Sequence, residues 1–278
     1  MHIIRTLVLA TCLLLSFAVP VNAATIFNFP NFNSCVGLQI NGNAACTGGV
    51  LRVTPATFSQ AGSAFSTTLI PLGPGASFST FFSFQISASG AGGADGIVFV
   101  VQPVASTVGG GGGGIGYAGI PTSLGVEFDT WDNGPPVDTS ASHVGIDVNG
   151  SVISLQTFDI SPPLDNGNVW FAWIDYNGSV LELRVSQSNS RPVSPTLSRA
   201  VNLASILGTT SAFVGFTSGT GAAFSNHDIL TWRFDDVFAP IGVAPPSTAV
   251  PTLANVALWL LACLLGGAAL ITLRRRRA

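Results

Sequence analysis

The chain has 278 residues, 47% of them hydrophobic and 8% charged, with 32 glycines, 17 prolines, four cysteines and no lysine. Five of its ten cations, Arg5 and Arg274 to Arg277, lie in the two end segments, so the body sets five arginines against all thirteen acids, a net charge of −8. That balance excludes nucleic acid as a natural partner and suits the binding of cations.

In chain order, residues 1–23 carry one early cation, a short apolar run and small residues before a cut after Ala23, the pattern of a secretory signal peptide. A retained N-terminal membrane helix is the alternative, disfavoured by the shortness of the run and by Pro20. Cys12 belongs to that segment and Cys263 to the C-terminal apolar run, which leaves Cys35 and Cys46. In an oxidising compartment these two are expected to form a disulfide that closes an N-terminal loop. The body, residues 24–238, reads as one domain of short strands broken by Gly, Pro, Ser and Asn. Over 77–86, Phe78, Phe82, Phe84 and Ile86 share one face, and the other face is mostly polar. Residues 96–102 form a continuous apolar run. Strand-like stretches follow at 125–130, 143–148, 169–176, 180–186, 212–217 and 229–234. Residues 109–114 are six consecutive glycines, a loop, and only 197–207 hints at a helical turn. The pattern predicts an all-β, antiparallel sandwich or jelly roll.

Residues 239–249, rich in Pro and Ala, read as a linker. Beyond it, residues 254–273 carry no charge and are long enough to cross a bilayer, and the arginine cluster that follows would stay cytoplasmic. The body would then be exported and held at the cell envelope. Pro251-Thr252-Leu253, the apolar span with Trp259 and the terminal arginines resemble the IPTL-CTERM sorting tails of Gram-negative bacteria. That resemblance implies a transient anchor over 250–278, later removed by a sorting enzyme; a permanent single-pass anchor is the alternative.

The chemistry concentrates between Glu127 and His143. Glu127 and Asp129, two apart on a strand, project from one face and repel each other unless a cation lies between them. Trp131, Asn133, Asp138 and His143 follow. Oxygen donors suit Ca²⁺, and carboxylates with one imidazole suit a first-row metal such as Mn²⁺.

The spacing of these six residues resembles the metal loop of the legume (L-type) lectins and their concanavalin-like relatives. By that resemblance the fold is a concanavalin-like jelly-roll sandwich and the function metal-dependent sugar binding. Glu127 and His143 would bind the transition metal, Asp129 and Asp138 both metals, and Asn133 (side chain) and Trp131 (carbonyl) the Ca²⁺. Asn133 would also donate to a sugar hydroxyl, with Trp131 available for stacking. Ala94-Asp95-Gly96 is similar to the strand start whose Asp, after a cis peptide, accepts from two sugar hydroxyls. Gly112 and Gly113 stand where a glycine loop donates a backbone N–H, and Thr220, Gly221 and Ala222 where the final specificity loop lies. The 170–178 stretch resembles a structural hairpin of the family.

Three departures stand out. Thr139 replaces the usual Pro after the bridging Asp, six glycines replace a less flexible loop, and the Ser that supports the metal ligands has only Ser154, one residue out of step, as its counterpart. The resemblance implies glycans or an exopolysaccharide as partner and leaves a homodimer open. Two rivals remain: a laminarinase-type glycoside hydrolase using Glu127, Asp129 and Asp132, and a structural matrix protein with a vestigial sugar site.

Overall fold

The computed structural model describes residues 25–73 and 75–242. The expected signal peptide, C-terminal tail and the linker from residue 243 onward lie outside the described residues. Among the described residues no helix is long and apolar enough to cross a membrane.

The strands in chain order are β1 (Thr25–Phe29), β2 (Leu38–Gly42), β3 (Ala45–Thr47), β4 (Val50–Thr54), β5 (Ala61–Ser66), β6 (Ile70–Pro71), β7 (Phe78–Gly90) and β8 (Gly96–Gln102). After them come β9 (Leu124–Asp129), β10 (His143–Val148), β11 (Gln156–Asp159), β12 (Val169–Tyr176), β13 (Val180–Ser186), β14 (Leu197–Ala200), β15 (Ser211–Gly219) and β16 (Phe224–Asp235). A back sheet runs β14-β13-β12-β7-β16-β4-β3, with β1 also paired to β16. A front sheet runs β11-β10-β9-β8-β15-β5-β2, with β6 also paired to β15. The paired strands are antiparallel throughout. The molecule is an all-β, two-sheet antiparallel sandwich.

The period-two pattern of β7 explains the core. Phe78, Phe82, Phe84 and Ile86 are fully buried between the sheets. Phe82 and Phe84 meet Phe128 of the front sheet edge-on, at centroid distances of 5.6 and 4.9 Å. Each such ring contributes about 1.5–3 kcal/mol through burial. Thr80 shares this face without being apolar, because its hydroxyl accepts the Trp232 indole N–H at 3.0 Å. The unbroken apolar run of β8 has a separate cause. Ile97, Phe99 and Val101 face the main core, while Val98 and Val100 pack outward into a second small core with Phe65, Ile115, Tyr117 and Ile120. The segment after the glycine loop therefore covers the front sheet, and both faces of β8 are dry.

Three expectations change. The 197–207 stretch is not one helical turn: Leu197–Ala200 pairs with β13, and only Leu203–Leu207 is helical, capped by Asn202 and ended by Gly208. The last strand begins at Phe224, five residues before its apolar run, because polar residues there find buried partners. Asp228 takes two 2.8 Å bonds from Arg52, and His227 bonds Thr54 at 2.8 Å. Six further strands precede residue 72, each of six residues or fewer and so too short to show a period in the sequence. Cys35 and Cys46 are disulfide-bonded, tying the chain before β2 to β3.

Candidate functional site

The candidate ligands lie on the outward face of the front sheet. On β9, Val126 and Phe128 enter the main core, which leaves Glu127 and Asp129 facing the other way. Antiparallel pairing with β10 sets Gly145 beside Glu127 and His143 beside Asp129. Only glycine fits at 145: a Cβ there would lie 2.3 Å from Glu127 Oε1 and 2.1 Å from Ser154 Oγ. Ligand atoms of Glu127, Asp129 and His143 lie within 4.8 Å of one another, and all three residues are buried. His143 Nδ1 lies 2.9 Å from the Ser140 carbonyl. Donation there turns Nε2 toward the acids, 3.3 Å from Glu127 Oε1 and 3.9 Å from Asp138 Oδ1, where without an ion it carries a proton for Glu127.

Ser154 does reach this cluster. Its hydroxyl is 2.6 Å from Glu127 Oε1 and 2.5 Å from Asp147 Oδ1. The extra residue in the sequence is absorbed by a turn in which Asn149 and Gly150 both take positive φ, 56° and 72°. One hydroxyl has one hydrogen for two carboxylates, so the second short contact needs a proton on an acid. Asp147 is that acid: burial, then the charge of Glu127, holds its carboxyl well above the usual range. Asp147 and Gly145 carry no motif of their own, but alternation along β10 from His143 places both on the ligand face.

Burial also drives Asp129 well above the usual carboxylate range; the Trp131 N–H, 2.6 Å away, opposes this, and the Glu127 charge adds to it. Burial pushes His143 down, but the Glu127 hydrogen bond and the charges of Asp129 and Glu127 outweigh it and raise the imidazole to about 9. Glu127 Oε2 is buried without a hydrogen-bond partner. Crowded buried acids around an imidazole nitrogen whose proton an ion would displace are the donor set that a first-row dication relieves. The residues fit such an ion.

The second set fits Ca²⁺ with one adjustment. Asp138 Oδ2 accepts the Asn133 backbone N–H at 2.5 Å and its Nδ2 at 2.8 Å. Asn133 Oδ1 faces Gly113, where an added Cβ would lie only 2.8 Å from it. Exchanging the two ends of the amide puts the oxygen beside Asp138 and turns the amide hydrogens toward the glycine loop, the orientation implied by the resemblance. Trp131 is 37% exposed and its ring edge lies over Gly92. Asp132 lies beyond the end of β9, exposed, with its carboxylate accepting the Gly134 N–H at 2.7 Å. Asp132 thus lies off the strand that carries Glu127 and Asp129, and the three acids do not form one row.

Asp95 immediately precedes β8, and β8 begins opposite the end of β9: Gly96 pairs with Asp129. The Thr130 N–H donates to the Asp95 carbonyl at 3.0 Å, and the Asp95 N–H to the Gly219 carbonyl at 3.1 Å. The Ala94–Asp95 bond is cis. Asp95 is largely buried with Oδ2 unpartnered, and burial raises its carboxyl to about 6. Gly221 borders that oxygen, 3.8 Å from an added Cβ. Gly112 packs against Gly219, whose Cβ would meet the Gly112 backbone at 2.7 Å. Ala222 is exposed. Thr220 departs from its expected part in sugar contact. It is buried, and its hydroxyl donates to the Thr57 carbonyl at 2.7 Å while accepting the Gln60 N–H at 2.8 Å. Its visible work is to pin the loop. A cavity of about 560 Å³ beside Tyr176 and Leu203 touches none of these residues.

Against known proteins, the family model described as "Legume lectin domain" matches residues 24–244. The chain belongs to that family. Among curated proteins it is 37% identical over 205 residues to the L-type lectin-domain containing receptor kinase VIII.1 of Arabidopsis thaliana, covering 69% of this chain and 27% of that one. The chain thus spans only about a quarter of that relative's length. Among solved structures it resembles the Bauhinia forficata lectin in complex with GalNAc, with a TM-score of 0.68, 26% identity, and coverage of 77% of this chain and 97% of that one. Winged bean acidic lectin complexed with methyl-α-D-galactose also has a TM-score of 0.68, at 29% identity, with 78% and 99% covered.

Proposed function

We propose that this protein is a metal-dependent lectin whose sugar site is formed by Asp95, Asn133 and the Gly112–Gly113 backbone, edged by Trp131, Gly221 and Ala222. The observation that carries this reading is the direct coupling of the two clusters. Gly96 of the Asp95 turn pairs with Asp129 of the acid cluster, and Thr130 holds the Asp95 carbonyl. Glu127, Asp129, Asp138 and His143 would hold a transition metal, and Asp129, Asp138, Asn133 and the Trp131 carbonyl would hold Ca²⁺. The ions supply positive charge that stabilises the buried acids and orders the loop from Asn133 to His143. Asp95, ionised, accepts hydrogen bonds from adjacent sugar hydroxyls, while Asn133 and a glycine N–H donate. A single shallow site of this kind binds one monosaccharide near millimolar and gains strength through multivalency on a surface.

The two ends of the sequence support an exported protein held at a bacterial cell envelope, where a glycan or exopolysaccharide is the partner. The test is retention on immobilised galactose, N-acetylgalactosamine or mannose, with Asp95→Ala as control. Retention of the native chain with Ca²⁺ and Mn²⁺, lost in the variant at unchanged metal content, supports the reading. Equal retention of both sinks the assignment of Asp95.

A further inference from the structure

The exposed aromatic residues among the described ones are Phe58, Trp131, Phe158 and Phe238. Two of them flank the 90–95 loop that leads to Asp95. Trp131 packs over Gly92, and Phe58 meets Phe224, which itself fills the space a Cβ of Gly90 would need: that Cβ would lie 2.4 Å from the Phe224 ring. Phe58 is 58% exposed, yet it is held firmly. Its ring stands edge-on to Phe224, with centroids 4.7 Å apart and planes at 83°. The loop that carries it is tied to the specificity loop by three backbone donors: Ser59 N–H to the Gly221 carbonyl at 3.0 Å, Gln60 N–H to Thr220 Oγ1 at 2.8 Å, and Thr220 N–H to the Gln60 carbonyl at 2.9 Å. Ala56 N–H adds a bond to Asn226 Oδ1 at 2.7 Å, and the Gln60 side chain one to the Phe58 carbonyl at 2.8 Å.

A lone exposed phenylalanine needs no explanation in itself. A ring fixed by this many bonds to the loop that borders the Asp95 carboxylate is different. It presents a preorganised apolar plane next to a polar sugar site, the surface on which the C–H face of a pyranose stacks. We propose that Phe58 is the platform of a second sugar subsite, so that the protein reads a glycan of two or more residues and not a lone monosaccharide. This rests on Asp95 holding the first sugar. It also gives a purpose to the buried hydroxyl of Thr220, which locks the Phe58 loop and the specificity loop together.

The test is calorimetry on the full chain in mild detergent with Ca²⁺ and Mn²⁺. The probes are N-acetylgalactosamine, methyl α-galactoside and methyl α-mannoside, and the disaccharides and trisaccharides that end in each of those sugars. For the monosaccharide that binds, a matching oligosaccharide should bind roughly tenfold tighter. Phe58→Ala should erase that gain and leave the monosaccharide affinity unchanged, while Phe58→Trp should retain it. The proposal is overturned by equal affinity of native protein for short and long probes, by a gain that survives Phe58→Ala, or by an equal loss of monosaccharide binding in that variant. If no probe binds the native protein, the sugar reading of Asp95 falls, and the subsite with it.

Discussion

Around Glu127 the work falls to side chains on paired strands; around Asp95, at the start of the adjacent strand, it falls largely to backbone in loops. The acid cluster is held from beneath by Phe128 and Val126 in the core, and its geometry follows from the β9–β10 register. The Asp95 region is assembled from glycine-bearing segments that meet through backbone contacts: 90–96, 109–116 and 219–223. A strand lattice suits ions, which need several donors at fixed short distances. Loops suit sugars, whose hydroxyls differ from ligand to ligand and are met by interchangeable backbone groups. The acid cluster is therefore where the fold and the charge balance are coupled, and the loops are where specificity is free to vary.

Substitutions that separate the two regions test this contrast. The largest effect is expected at the shared acid. Asp129→Asn should remove both metals, abolish sugar binding and lower the melting temperature in the presence of Ca²⁺ and Mn²⁺. With EDTA the sign should reverse, because the native carboxylate is buried and held far above its usual pKa. There the variant should melt at or above the native protein. Metal analysis and thermal melts check this, and a variant that keeps stoichiometric Ca²⁺ would show that the cluster has been misread.

Asp95→Ala should be nearly as severe for sugar and nearly silent otherwise. Losing charge-assisted bonds to two hydroxyls costs roughly a hundredfold or more in affinity, with metal content and melting temperature close to native. Because burial raises Asp95 to about 6, its acceptor form is lost as pH falls through that value, and a nearby dication moves the midpoint lower. Sugar affinity measured from pH 8 to 4 should therefore decline only toward the acid end; constant affinity down to pH 4 would contradict an ionised acceptor.

A smaller effect is expected in the glycine loop. Gly113→Ala brings a methyl group to within 2.8 Å of the end of the Asn133 amide that faces it and should weaken sugar binding roughly tenfold by shifting one donor, while both metals stay bound. Loss of Ca²⁺ in this variant would mean that the two regions are not separable.

The smallest effect concerns His227, on β16 of the back sheet and outside the acid cluster. Burial depresses this imidazole from 6.5 to about 3, so the folded state refuses a proton that the unfolded chain accepts. Its stabilising share is complete above pH 6.5 and is lost as pH falls from there toward 3, by up to about 1.4 kcal/mol per pH unit. Melting temperatures in EDTA should fall less steeply below pH 6.5 in His227→Gln than in the native protein; identical slopes would refute the assignment.

The same contrast explains what was legible in the sequence. Glu127, Asp129 and His143 stood out because strand periodicity converts spacing directly into a common face. The eight apolar strands were legible for the same reason. Ser154 was obscured because register through the Asn149–Gly150 turn depends on backbone geometry that a residue count does not carry. Thr220 was read as a sugar contact because its buried partners, Thr57 and Gln60, are more than 150 residues away. The strands before residue 72 are at most six residues long and carry their apolar side chains singly or in pairs, too few to set up a period, and the polar start of β16 is buried only because Arg52 and Thr54 arrive from β4. Local pattern reveals strands and their faces; contacts made by backbone and by distant polar partners need the fold.

The central claim is that ions and sugar share one coupled site, and the most direct measurement is a glycan array probed with the full chain, once with Ca²⁺ and Mn²⁺ and once with EDTA. The account predicts binding to a restricted set of glycans that disappears on chelation and returns when both ions are restored. Binding that persists unchanged in EDTA, or a folded, metal-loaded protein that binds no glycan, would contradict it.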